Sequence, residues 1–382
     1  MCSLLSFFIT VAVLVLAAPR VLGAASPRLP ALLHVSPFFD AAAPVAATIK
    51  LPNGSKPKAF SFGRGSDLFV STLSGEVLHF DMGAADAAAT RTLLATEPGI
   101  ALTGIQYDPQ QHALFVAGSV SGKIFVYTLT ASRPYEVARR AAVALARPRG
   151  RWQAPYVNDV AIGPSHVYAT DSFEPFVHMI PRFSASNWVA AADVGGTGGG
   201  ATYVHLGPGF VTTSARLNAN GLVFARNNTL LVSNFDQSYV AAVQLPPGGA
   251  PRAQGEAAAA VVAARLPWVK AGGKGPWRKV WADSMVMGPG ADTVYLSDNF
   301  EDRVLQLRLT PDLSSANVTC VISPRGGGGG GGTTALRAPT AMAFKDGVLW
   351  VLNARLLDCP FVLPCTNQGY EIVGVRPTQV CR

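Results

Sequence analysis

One short phrase occurs six times in this chain, and it restricts the fold more than any other feature. The clearest copy runs Tyr156-Val157-Asn158-Asp159-Val160-Ala161-Ile162, turns at Gly163-Pro164-Ser165, and continues Val167-Tyr168-Ala169-Thr170-Asp171-Ser172. A polar residue opens a short apolar strand, a turn follows, and a second strand ends in small polar residues. Residues 219–234 and 282–299 repeat the pattern, with Asn220 and Asp283 at the opening position. Three fainter copies open at Lys58, Thr103 and Thr340, so successive openings lie 45 to 63 residues apart. A fixed supersecondary unit recurring at that spacing marks a repeat architecture.

Each copy extends into three or four short apolar segments bounded by turn residues. The first predicts strands over 59–62, 68–72 and 77–81, and the second over 105–107, 114–117 and 124–127. Ser74-Gly75 and Ser121-Gly122 supply the same turn in both. Later copies continue with 177–181, 239–245, 303–309 and the trio 342–344, 348–352 and 371–375. Segments 201–206 and 260–266 supply outer strands. With 49% hydrophobic residues, 14% charged, 38 Gly and 28 Pro, the composition suits short strands joined by turns. Four-stranded units that cannot bury their faces alone predict an all-β, six-bladed β-propeller with four-stranded blades. A pair of β-sandwiches would not return the same polar position six times. Residues 45–51 read as a strand ahead of the first repeat, placed to complete the sheet of the last one. The glycine run 326–332 reads as a flexible loop between blades five and six.

The chain start reads as an export signal. An apolar run over 4–18 is too short to cross a bilayer comfortably and is followed by Val21-Leu22-Gly23. The expected organisation is a cleaved signal over 1–23, a loosely held arm over 24–44 and one propeller domain over 45–382. A secreted, extracellular location follows, with no membrane association after cleavage. Cys320, Cys359, Cys365 and Cys381 then remain as an even set, which reads as two disulfides. Cys359 with Cys365 and Cys320 with Cys381 is the favoured pairing of the three possible. Glycosylation sequons begin at Asn53, Asn227 and Asn317. The net charge of +8 gathers partly at Arg139, Arg140, Arg147, Arg149 and Arg151, and partly at Lys270, Lys274, Arg278 and Lys279. Both clusters read as solvated connector loops, and no motif points to a nucleic acid. A monomer is expected.

In a propeller the first strand of each blade lines the central channel. Lys58, Thr103, Asn158, Asn220, Asp283 and Thr340 are therefore expected at one mouth of it. Two amides and one carboxylate are the oxygen donors that a hard cation such as calcium prefers. No His or Cys joins them, which argues against zinc. Asp159, Asp171 and Asp298 are candidate contacts to a metal ligand or a substrate, although strand-end Asp residues read mainly as turn caps.

These repeats resemble the gluconolactonase and regucalcin-type (senescence marker protein) superfamily of six-bladed propellers, with paraoxonases more distant. Asn158-Asp159-Val160, Asn220-Gly221-Leu222 and Asp283-Ser284-Met285 fall where that family places the Asn, Asn and Asp around its catalytic metal. The resemblance covers nearly the whole mature chain. It implies a metal-dependent lactone or ester hydrolase. Calcium or another divalent cation would be bound by Asn158, Asn220 and Asp283, with Asp283 also the catalytic base. Its substrate would be a small lactone or ester. Two departures stand out. Pro57-Lys58-Ala59 occupies the place of the family's first-blade Glu, and Tyr156 the place of an Arg in the sugar-lactone branch. Three outcomes follow. Lys58 points away and leaves Asn158, Asn220, Asp283 and water to hold a weak cation, it forms an ion pair with Asp283 that stands in for the metal, or the first blade is shifted and another acidic residue serves. The ion pair is the favoured one. The alternative class is a non-catalytic extracellular propeller that binds a ligand, a wall polymer or a protein.

Overall fold

The computed structural model of the chain describes residues 40–42, 45–145, 155–182, 201–206, 210, 217–245, 260–265, 269–270, 277–323, 336–355, 369–377 and 381. Strands β1 (Asp40–Ala42) and β2 (Val45–Leu51) precede the first blade. That blade is β3 (Pro57–Phe62), β4 (Asp67–Thr72), β5 (Glu76–Asp81) and β6 (Thr92–Thr96). The second comprises β7 (Ile105–Asp108), β8 (Ala113–Ala117), β9 (Lys123–Leu129) and β10 (Val137–Ala144). The third comprises β11 (Val157–Ile162), β12 (His166–Asp171), β13 (Phe176–Pro181) and β14 (Thr202–His205). In the fourth, β15 (Ala219–Ala225), β16 (Thr229–Asn234), β17 (Tyr239–Gln244) and β18 (Ala260–Arg265) follow one another. A two-stranded ribbon, β19 (Val269–Lys270) with β20 (Trp277–Arg278), leads to the fifth. That blade holds β21 (Ala282–Met287), β22 (Thr293–Asp298), β23 (Arg303–Leu309) and β24 (Ala316–Ser323). The last is built from β25 (Pro339–Lys345), β26 (Val348–Asn353) and β27 (Tyr370–Val375), with β2 as its outer strand.

Six four-stranded antiparallel sheets thus form a β-propeller, as the repeat predicts. Innermost strands β3, β7, β11, β15, β21 and β25 contact one another in that order, and β25 returns to β3. The circle is closed by β2, which pairs antiparallel with β27 from Val45 opposite Val375 to Leu51 opposite Tyr370. Helical structure among the described residues is confined to short turns such as Ala87–Thr90 and Asn299–Glu301. No helix among them is long and apolar enough to cross a membrane.

The core lies between blades. Phe115, Val126 and Val143 of the second blade pack with Val160, Val167 and Ile180 of the third. The interfaces between the third and fourth, fourth and fifth, and fifth and sixth blades are built alike. Each blade therefore buries its two faces only against its neighbours, the property that makes the repeats interdependent.

Some expectations change. Asp40–Ala42, within the stretch read as an arm, pairs in parallel with β24 as a fifth strand of that sheet. Arg139 and Arg140 lie on β10 rather than in a loop, because Arg140 reaches the buried carboxylate of Glu97 with Nε at 2.7 Å. Lys279 packs its Nζ 4.2 Å above the Trp281 ring and 3.3 Å from Asp236. Cys320 and Cys381 form the expected disulfide, linking the outer strand of blade five to the C-terminal segment. Cys359, Cys365, the signal, the glycine run 326–332 and Arg147, Arg149 and Arg151 lie outside the described residues. Asn53, Asn227 and Asn317 are all exposed.

Candidate functional site: one mouth of the channel

In five of the six blades the polar residue of the phrase coincides with a break in register at the start of the innermost strand, whereas Thr103 precedes β7, which pairs regularly with β8. Pairing slips between Pro57 and Ala59, Val157 and Val160, Ala219 and Leu222, Ala282 and Met285, and Pro339 and Ala341. A bulge re-aims side chains that a regular ladder would send to alternate faces. In those five blades it brings the polar residue to the channel mouth or against the next blade.

Lys58 and Asp283 come together although they start blades one and five. Lys58 Nζ donates to Asp283 Oδ1 at 3.1 Å and to Oδ2 at 3.2 Å. The Lys58 side chain is 11% exposed and that of Asp283 4%. A third group completes the clamp: Asn299 Nδ2 donates to Asp283 Oδ2 at 2.8 Å. Asn299 is buried in the short turn after β22. Its counterpart in the third blade is Ser172, which follows Asp171 as Asn299 follows Asp298 and likewise bonds the opening residue; the change of residue type at that position kept it from standing out in the sequence.

The remaining opening residues serve the backbone. Thr103 Oγ1 donates to Val157 O of the next blade at 2.8 Å, and Thr340 Oγ1 to Lys58 O at 2.9 Å. Asn158 Nδ2 donates to Ser172 Oγ at 3.0 Å, and Ser172 Oγ to Ala219 O at 2.6 Å. Asn220 is buried, and its amide has no partner among the described residues. Hydroxyls of the second strands extend the stitching. Ser71 Oγ donates to Thr103 O, Thr170 Oγ1 to Asn220 O at 2.7 Å and Ser233 Oγ to Ala282 O at 3.0 Å. Between blades five and six, Asp302 Oδ1 accepts from Ala338 N at 2.7 Å. A circle of short polar contacts therefore joins every blade to the next. The strand-end carboxylates do act as caps: Asp171 Oδ1 accepts from Tyr156 N, and Asp298 Oδ1 from Trp281 N.

Asp159, one residue past Asn158, carries a second charge at this mouth. Its oxygens accept from Val160 N at 2.8 Å and Leu222 N at 3.1 Å. Burial pushes its carboxyl up to about 6, against the pull of those two amides and of Lys58, and Asp283 adds to the rise. Protein surrounds Asp159, yet part of it faces the channel, so water there tempers the shift. Tyr156 stacks beside Phe173, with ring centroids 5.5 Å apart, and burial raises its hydroxyl to about 12.

Calcium takes oxygens at about 2.3–2.6 Å and needs 6–8 of them. Both Asp283 oxygens already hold the Lys58 ammonium, and one also holds the Asn299 amide. A divalent ion there would share its ligand with a like charge about 3 Å away, so the arrangement as it stands does not fit one.

No family model matches the chain, and no curated protein matches it by sequence. Among solved structures it is similar to the major Malassezia sympodialis allergen Mala s 1, at 11% identity and a TM-score of 0.56, covering 87% of this chain and 96% of that one. A protein from Lactobacillus plantarum matches at 13% identity and a TM-score of 0.54, over 78% and 77% of the two chains. The PQQ-bound aldose sugar dehydrogenase of Streptomyces coelicolor matches at 14% identity and 0.50, over 89% and 100%. At such identities the likeness concerns the fold, which these proteins put to different uses.

Proposed function

We propose that the protein is an exported, gluconolactonase-like propeller with a degenerate metal site. It binds a small lactone- or ester-like ligand at the mouth where Lys58 stands in the place of a divalent cation. The observation that carries this reading is the bidentate Lys58–Asp283 contact at 3.1 and 3.2 Å, closed by Asn299. An inward carboxylate is costly without a cation, and an ammonium with a hydrogen-bonding amide supplies the compensation. Export is supported by the Cys320–Cys381 disulfide, since such bonds persist in oxidising compartments.

Calcium titration by calorimetry tests the reading. The wild type is expected to bind calcium weakly or not at all. Lys58→Glu is expected to create a site with Kd on the order of 10⁻⁵–10⁻³ M, and adding Asp283→Ala to remove it again. Tight calcium binding by the wild type would overturn the ion-pair reading. It would restore the metal-dependent lactone or ester hydrolase, with Asn158, Asn220 and Asp283 as ligands. A panel of lactones and esters assayed with and without a chelator then separates catalysis from simple binding.

A further inference from the structure

The same repeat builds a second chamber further along the channel. Three residues past each opening residue stand Ser61, Gln106, Ala161, Val223, Val286 and Ala343, one from each blade. At about 3.3 Å per residue they lie roughly 10 Å along the strands from the Lys58 mouth. All six line one cavity of about 670 Å³. Phe62, Phe224, Met287 and Phe344, the next residues on four of these strands, complete its wall, and all four are half-buried. Apolar side chains left part-exposed in a concave chamber mark a binding site rather than a packed core.

Polarity is concentrated on one arc. Gln106 is half-buried, faces the chamber and makes no side-chain hydrogen bond among the described residues. Beside it, Arg182 is fixed by Asp108 Oδ2 at 2.6 Å, by Gly163 O at 3.0 Å and by Gln110 Oε1 at 3.0 Å. The arc from blade four round to blade one offers only Ser61 as a polar contact, and that hydroxyl already accepts from Tyr107 N at 3.0 Å. All six blades contribute to the chamber, and its volume suits a drug-sized molecule. We propose that this end of the channel binds a small molecule with an apolar body and one uncharged hydrogen-bonding end. The body lies against Phe62, Phe224, Met287 and Phe344, and the polar end meets the free amide of Gln106. This site is separate from the Lys58 mouth and does not depend on its reading.

Titration with the neutral dye N-phenyl-1-naphthylamine, followed by displacement with 1-decanol, tests the proposal on the full chain. One saturable dye site is expected, emptied by decanol. Val286→Trp fills the chamber and is expected to weaken dye binding at least tenfold, with Ala343→Phe as the second variant should the first not fold. Gln106→Leu is expected to weaken decanol about fivefold, the loss of one hydrogen bond. Absence of a saturable site overturns the proposal. So does unaltered dye affinity in a folded filling variant, or unaltered decanol affinity in Gln106→Leu.

Discussion

Lys58 and Asp283 form a buried ion pair, and its two halves do not cost the same to remove. Lys58→Met leaves Asp283 with only the Asn299 amide, and removing one partner of a buried pair typically costs about 3–5 kcal/mol. Lys58→Met with Asp283→Asn is expected to recover more than half of that loss, because the new amide oxygen still accepts from Asn299. Urea unfolding of the two variants checks this; equal stabilities would show that the charge is not the cause. Asp159 makes a prediction in pH. Its ordinary value of 3.8 rises to about 6 in the fold, chiefly through burial. Between those values the folded chain holds the proton more tightly than the unfolded one, so stability from this group is present at low pH and is lost as pH rises through about 6. Asp298, also raised to about 6 by burial, acts in the same direction. Asp159→Asn is therefore expected to flatten the fall in unfolding free energy between pH 4 and 6. An unchanged slope would assign that fall to other groups.

At the scale of strands, the blades meet most closely where the phrase carries glycine. A Cβ on Gly221 would lie 2.4 Å from Asp283 O and 2.9 Å from Ser284 Cα, backbone atoms of the next blade. Gly221→Ala must push blades four and five apart and is expected to cost about 1–3 kcal/mol, read by denaturant unfolding. The inner three strands of each blade were legible in the sequence because their apolar residues sit between short turns rich in Gly, Asn, Asp, Ser and Pro. Outer strands were harder to see. β6 has no buried residue, and β10 begins with a run of part- or fully exposed positions, so neither shows a two-residue apolar period. The six opening residues were legible through repetition alone. That repetition does not distinguish a side chain aimed at the lumen from one bonded to a neighbour's carbonyl, which is where Thr103 and Thr340 point.

For the whole molecule, two devices hold the circle shut. One is the disulfide from Cys320 to Cys381, which spans 61 residues. A covalent loop of that length restricts the unfolded chain by about 4 kcal/mol on the chain-entropy estimate. Cys320→Ser with Cys381→Ser is expected to lose a large part of that, seen as a lower melting temperature under non-reducing conditions. The other device is β2, which pairs with β27 as the outer strand of the sixth blade. During synthesis residues 45–51 emerge before any blade and residues 370–375 only after five blades have appeared. Until then β2 has no strand to pair with, and the sixth blade stays open. Blades can gather in order as they appear, but the sheet that closes the circle forms after the others. Before it forms the cell handles an open arc with two bare edges, and any factor that shields strand edges has its period of greatest use then.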